Sequence, residues 1–293
     1  MPSVIVYLMK ITSYWIKTNM LLASNSLTKN TDLNIGFMHG WGMNSGAFTQ
    51  LIKILQTQLK ERQINANLRV HLYTITLPGH GDKHSVVPSP FDLVGIANSI
   101  SPEIKQNTIL IGWSLGGLVA QYLAIKQHPN LIGLMTIATT PKFQMADDWP
   151  GIKPDVLDIF MGQLKQNHHK TCSRFLAIQM MGVENAKALI REITKAIDVY
   201  PTANITALSA GLKILQDADI RHRIKEIKIP TLRTYGRLDS LVPYQAINQI
   251  QQLQPASRHL IFKHASHAPF LTNAREFSKH IVEFINNVCT TSR

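Results

Sequence analysis

The sequence predicts an α/β protein: a mostly parallel sheet with helices on both faces and a helical insertion above one end of it. Three observations carry this expectation. Short apolar runs of strand length alternate with helical patterns through most of the 293 residues, as in strand–helix–strand units. The alternation breaks between about Trp149 and Gln216 and resumes at Ile229. Apolar residues make up 45% of the chain and charged residues only 16%, enough for a large buried core and too apolar for global disorder.

The expected strands are Ile35–Met38, Val70–Ile75, Thr108–Trp113, Leu131–Ala138, Thr231–Tyr235 and His259–Phe262. The helical stretches between them are Ala47–Lys60, Leu93–Ile100, Leu115–His128, Tyr244–Leu253 and Ala274–Val288. Within the interruption, Val156–Gln166, Cys172–Met180 and Asn185–Ile197 read as helices. The expected organisation is a loosely ordered N-terminal arm over residues 1–31, a core over 32–148 and 217–293, and a helical cap over 149–216. In the arm, the apolar run Val4–Met9 is followed by Lys10 and Lys17 with no charged segment before it, which argues against a secretory signal and leaves Met20 as an alternative start.

Composition excludes several classes. Two cysteines, Cys172 and Cys289, lie in no CxxC pair, so neither a disulfide scaffold nor a structural zinc site is expected. No stretch approaches the eighteen or more apolar residues a membrane helix needs. Thirty basic residues against eighteen acidic give a formal charge of +12, which predicts attraction to an acidic partner.

The chemistry-bearing segment is Thr108-Ile109-Leu110-Ile111 running into Gly112-Trp113-Ser114-Leu115-Gly116-Gly117 and then an apolar helical pattern. Strand, G-x-S-x-G, helix is the context in which this motif marks a serine nucleophile, Ser114. The glycines are needed because strand and helix nearly touch on either side of a strained turn. A serine hydroxyl needs a neighbouring imidazole to take its proton. The loop after the last strand offers His264 and His267; His267 lies farther onto the loop, before a Pro-containing turn, and is the expected base. The acid that orients it is expected at Asp239, four residues beyond a strand, because the turn after Ala138 offers only Thr139, Thr140 and Pro141. Backbone N–H donors for a developing oxyanion are expected from Leu115, after the nucleophile, and from Trp41 in His39-Gly40-Trp41-Gly42. His39 reads as a buried support for that loop, and the turn Leu77-Pro78-Gly79-His80-Gly81-Asp82 as structural.

With the order Ser, Asp, His, the chain resembles the α/β-hydrolase superfamily from about Asp32 to the terminal helix. Within it, the chain is similar to the family of pimeloyl-[acyl-carrier protein] methyl ester esterases of biotin synthesis. The supporting stretches are His39–Gly42, Gly112–Ala120, Trp149–Leu157 and Arg174–Gln179, and the last two make the resemblance narrow. It implies an α/β-hydrolase fold with a cap and a cytoplasmic serine carboxylesterase acting through an acyl-enzyme. It implies no cofactor and no metal. It also implies a substrate site formed by Trp41, Ser114, Leu115, Phe175, Leu176, Ala177, Ile178, Gln179 and His267. The long N-terminal arm departs from the family pattern.

Between residues 160 and 200, Lys165, Lys170, Arg174, Lys187, Arg191 and Lys195 face only Glu184, Glu192 and Asp198. Lys170 and Arg174 share one helical row, and Lys187, Arg191 and Lys195 another. An acidic acyl-carrier protein is the partner such a ridge fits, with Lys170, Arg174, Lys187 and Arg191 as docking residues; a merely solvated face is the other reading. Nucleic acid is not expected, for want of interleaved aromatics, and a monomer is expected. Competing readings are a general short-chain carboxylesterase or carbon–carbon hydrolase on the same scaffold, and a non-catalytic binding protein.

Overall fold

The computed structural model describes residues 31–61 and 68–291, so residues 1–30 of the expected arm, with Met20, lie outside the described residues. Six strands form one parallel sheet: β1 (Thr31–Met38), β2 (Leu68–Ile75), β3 (Thr108–Trp113), β4 (Leu131–Ile137), β5 (Thr231–Gly236) and β6 (Arg258–Phe262). Their spatial order is β2-β1-β3-β4-β5-β6, all pairs parallel. The order reverses between β1 and β3, and a crevice opens at such a switch point beyond the carboxyl ends of the strands.

Alternate residues of the central strands enter different cores, as a period of two requires of a sheet covered twice. Ile109, Ile111 and Trp113 of β3 join Leu33, Ile35 and Phe37 of β1 in a core closed by α1 (Thr49–Glu61) and α10 (Ala274–Thr291). Leu110 and Met38 face the opposite core, closed by α2 (Leu93–Ile100), α3 (Leu115–Ile125) and α8 (Tyr244–Leu253). A short α9 (Pro269–Thr272) precedes α10.

Between β4 and β5 the chain leaves the sheet for α4 (Pro154–Gln166), α5 (His168–Gln179), α6 (Ala186–Ile197) and α7 (Ile205–Asp217). Their apolar residues do not form a separate core. Leu157, Phe160, Phe175, Leu208 and Leu212 belong to the same cluster as Trp41 and Leu115, so these helices close over the strand ends.

Of the boundaries that differ from the sequence expectation, three have a plain local reason. The helix expected from Ala47 begins at Thr49, because Ser45–Phe48 forms a 3-10 turn capped by the Asn44 side chain. The helix expected to reach His128 ends at Ile125, since Gln127 turns to φ 53°. Strand β4 stops at Ile137 because Ala138 adopts φ 45°.

Candidate active site

Ser114 sits at the turn between β3 and α3 with φ 54° and ψ −119°, a conformation that L-residues seldom adopt. The turn is held by its neighbours. The Ser114 N–H donates to the Ile137 carbonyl at 2.9 Å, and the Thr139 hydroxyl donates to the Ser114 carbonyl at 2.8 Å. The glycine requirement is steric: a Cβ on Gly116 would lie 2.4 Å from the His39 carbonyl oxygen, and one on Gly112 2.6 Å from that of Gly116.

His267 Nε2 lies 2.8 Å from Ser114 Oγ, and His267 Nδ1 lies 2.8 Å from Asp239 Oδ2. The other carboxylate oxygen of Asp239 accepts the N–H groups of Leu241 at 2.8 Å and Val242 at 3.0 Å. That places the Nδ1 proton toward Asp239 and leaves Nε2 bare toward the serine. The two loops meet because β5 and β6 end in register, Gly236 opposite Phe262. His267 is fully buried, and Ser114 and Asp239 are 4% and 6% exposed. His264 is exposed on the same loop.

The His39–Gly42 loop lies alongside, since Met38 pairs with Gly112 and a Cβ on Gly40 would come 3.1 Å from that of Ser114. Two buried histidines bracket Trp41. His39 Nε2 accepts the Leu77 N–H at 3.0 Å, so its proton is on Nδ1 and is donated to the Gly40 carbonyl at 2.8 Å. The two ends of a trans peptide point opposite ways, so gripping the Gly40 carbonyl turns the Trp41 N–H away from His39. His80 Nδ1–H donates to the Pro78 carbonyl at 2.9 Å, and its Nε2 accepts the Gly42 N–H at 3.4 Å. Burial pushes His80 down to about 4, with its bond to Pro78 opposing. Burial first, then the neighbouring His80, holds His39 well below the usual range. Both rings are therefore neutral at pH 7.

Among the described residues the Trp41 N–H meets no acceptor, and Leu115 opens α3, where an N–H has no partner within the helix. The Trp41 ring is pinned in place: its Nε1–H donates to the Leu208 carbonyl at 2.8 Å, and it packs edge-to-face with Phe175, the ring centroids 4.8 Å apart. Phe175, Leu176 and Gln179 are buried and Ile178 is half-buried, whereas Ala177 is exposed, two residues on from Phe175 and so around the helix from it. The Gln179 carbonyl accepts the His267 N–H at 3.1 Å, and the Trp113 indole donates to the His267 carbonyl at 2.9 Å. Sequence reasoning missed the positioning parts played by Trp113, Thr139 and His80; each acts on a residue remote in the chain and leaves no local pattern.

Lys170, Arg174, Lys187 and Arg191 are exposed on α5 and α6. A groove between these helices is lined by Gly42, Asn44, His169, Cys172, Thr194 and Asp198. Burial pushes the Cys172 thiol up to about 12, so it is no nucleophile at neutral pH. No cluster of His, Cys, Asp and Glu suited to a metal ion occurs among the described residues, and no helix among them is long and apolar enough to cross a membrane.

A family model for the alpha/beta hydrolase fold matches residues 35–274. A pimeloyl-[acyl-carrier protein] methyl ester esterase from Pseudoalteromonas atlantica is 41% identical over 251 residues, covering 85% of this chain and 93% of its own length. One from Aeromonas salmonicida is 39% identical over 248 residues, covering 85% and 93%. Among solved structures, an esterase from Exiguobacterium antarcticum superposes with a TM-score of 0.72 at 21% identity, covering 86% of this chain and 91% of its own. At that identity the likeness speaks for the fold alone.

Proposed function

The chain belongs to the α/β-hydrolase family and, within it, to the pimeloyl-[acyl-carrier protein] methyl ester esterases, and from that membership we propose that it removes the methyl group from a pimeloyl chain still joined to its carrier protein. It is a carboxylic ester hydrolase. The observation that supports this reading above all is the unbroken hydrogen-bonded line from Asp239 through His267 to Ser114.

In the proposed reaction, Ser114 Oγ attacks the ester carbonyl as its proton passes to His267 Nε2. The resulting oxyanion is bound by the N–H groups of Trp41 and Leu115, donors of a kind typically worth about 3 kcal/mol each in the barrier. Collapse breaks the bond to the methoxy oxygen, which leaves as methanol with the proton from His267. Water, deprotonated by the same imidazole, then attacks the acyl-enzyme and releases the free carboxylate and Ser114. Asp239 holds the ring in one tautomer and stabilises its cation throughout. No step requires a metal or organic cofactor.

The acyl chain would lie against Trp41, Phe175, Leu176, Ile178 and Gln179 under the cap, here taken as residues 149–216. Lys170, Arg174, Lys187 and Arg191 would dock the acidic carrier, and the enzyme would work as a cytoplasmic monomer. The direct test is turnover of pimeloyl methyl ester, free and carrier-linked, by purified protein beside a Ser114→Ala control. Methanol release from both substrates that Ser114→Ala abolishes is expected. Undiminished release by the variant would overturn the scheme.

A further inference from the structure

Gln179 closes α5 with 2% of its surface exposed. Its backbone carbonyl accepts the His267 N–H at 3.1 Å, which ties the residue to the catalytic loop. Its side-chain Oε1 is buried and accepts no hydrogen bond among the described residues. A buried acceptor left unpaired costs stability, and leucine or methionine would fill the same space without that cost. The amide itself therefore calls for a role.

Thr171, Phe175 and Gln179 stand four residues apart on one buried face of α5, and Phe175 packs against the Trp41 ring. Helical side chains lean toward the N-terminus of their own helix. The Gln179 amide thus leans from the His267 backbone toward the Phe175–Trp41 pair. The protein donors in this region are already engaged. The Ser114 hydroxyl faces His267 Nε2, and His267 Nδ1–H faces Asp239. The Thr139 and Thr171 hydroxyls donate to the Ser114 and Asn167 carbonyls, and the Trp41 indole to that of Leu208. An aliphatic acyl chain has no proton to offer. The reactant that brings a proton to spare is water.

We propose that Gln179 is a catalytic residue of the second half-reaction, its Oε1 accepting the hydrogen of the attacking water that His267 does not take. The water oxygen bonds to the acyl carbon as one of its protons passes to His267 Nε2; the other stays on oxygen and is donated to Gln179. Collapse breaks the bond to Ser114 Oγ, which recovers the proton from His267, and the free acid leaves. Methanol, released in the first half-reaction, has a single hydroxyl proton. Were it to attack the acyl-enzyme, that proton would go to His267 and a methyl group would meet Oε1, leaving the acceptor unpaired. A site built to hydrogen-bond one reactant rejects the analogue that lacks the group, so Gln179 selects water over methanol and opposes re-formation of the ester.

The role rests on the esterase reading, and the test separates the two. A small p-nitrophenyl ester is turned over by the parent and by Gln179→Met, with and without added methanol, and initial rates of nitrophenol, acid and methyl ester are followed. Because kcat/KM covers only the steps up to acylation, Gln179→Met should keep it while kcat and KM fall together, roughly ten- to hundredfold. A stoichiometric burst of nitrophenol should precede the slow phase as acyl-enzyme accumulates. The ratio of methyl ester to acid should rise by roughly tenfold or more, and methanol should speed the variant's turnover. That ratio is set within one reaction mixture, so it holds whatever fraction of the variant folds, and Gln179→Leu repeats it if Gln179→Met does not fold. An unchanged ratio, or a kcat/KM that falls as far as kcat, would make Gln179 a substrate contact or a packing residue and overturn the proposal. A parent that hydrolyses no ester would instead refute the esterase reading, and this role with it.

Discussion

The strand ends and the outer helices of this protein handle polar groups in opposite ways. At the strand ends, Ser114, His267 and Asp239 are almost wholly buried and are fixed by hydrogen bonds: the Trp113 indole and the Thr139 hydroxyl donate to the His267 and Ser114 carbonyls, and the Leu241 and Val242 N–H groups to the Asp239 carboxylate. On α5 and α6, Lys170, Arg174, Lys187 and Arg191 are exposed, and none forms an ion pair among the described residues. The first arrangement holds reacting groups to within about half an ångström of the geometry they need. The second sets only a field. Substitutions should therefore act steeply and on every substrate in one region, and gently and on carrier-bound substrate alone in the other.

The largest effect should come from Asp239→Asn. Asp239 Oδ1 already accepts two backbone N–H groups, so the amide oxygen would stay there and its NH2 would face His267 Nδ1. Nδ1 would then have to accept, moving the ring proton to Nε2, where it faces Ser114 and blocks proton abstraction. A fall in kcat of about 10⁴-fold is expected on free and carrier-linked ester alike, with the melting temperature little changed. A loss restricted to the carrier-linked substrate would erase the contrast between the regions.

The strand-end chemistry was legible because it leaves local marks: Gly112, Gly116 and Gly117 around Ser114, and Asp239 and His267 just after strands. The sheet was legible where both faces are buried, as in Thr108–Trp113, whose bounds coincide with the observed strand. It was less so in β1 and β2. Asp32, Asn34, Arg69 and His71 interrupt the apolar pattern there, and the two strands begin earlier than expected, at Thr31 and Leu68; Asp32 joins Arg69 and His71 across that edge. Helix α7 was only part of a general helical expectation, although it carries the Leu208 carbonyl that holds Trp41. Nor does any local pattern tell that His80 accepts a bond from Gly42, 38 positions away.

That pair makes the next prediction, which sharpens the strand-end side. Neutral His80 accepts the Gly42 N–H; a protonated ring would present a donor to a donor. The ring's value in the folded protein, about 4, lies below the ordinary 6.5, so the unfolded chain takes up the proton first as pH falls. Its share of stability is complete above about 6.5 and is lost on the way down to about 4, amounting to about 3 kcal/mol. Melting temperatures between pH 7 and 4.5 should fall less steeply in His80→Phe than in the parent. Parallel curves would show that protonation of this ring does not weaken the fold.

The smallest effect should come from the outer helices and is the sharpest test of what they do. Lys187 and Arg191 lie one turn apart on α6 and are both exposed, so reversing their charges disturbs no packing. Rim charges act through association and register, each contributing typically less than about 1 kcal/mol. Lys187→Glu with Arg191→Glu should lower kcat/KM for carrier-linked ester by roughly tenfold, through KM, while a small free ester is hydrolysed as before. Raising ionic strength should narrow the difference, because exposed charges are screened within about 8 Å at physiological salt. An equal loss on both substrates would mean that α6 shapes the pocket, and no loss on either would leave the ridge a solvated surface.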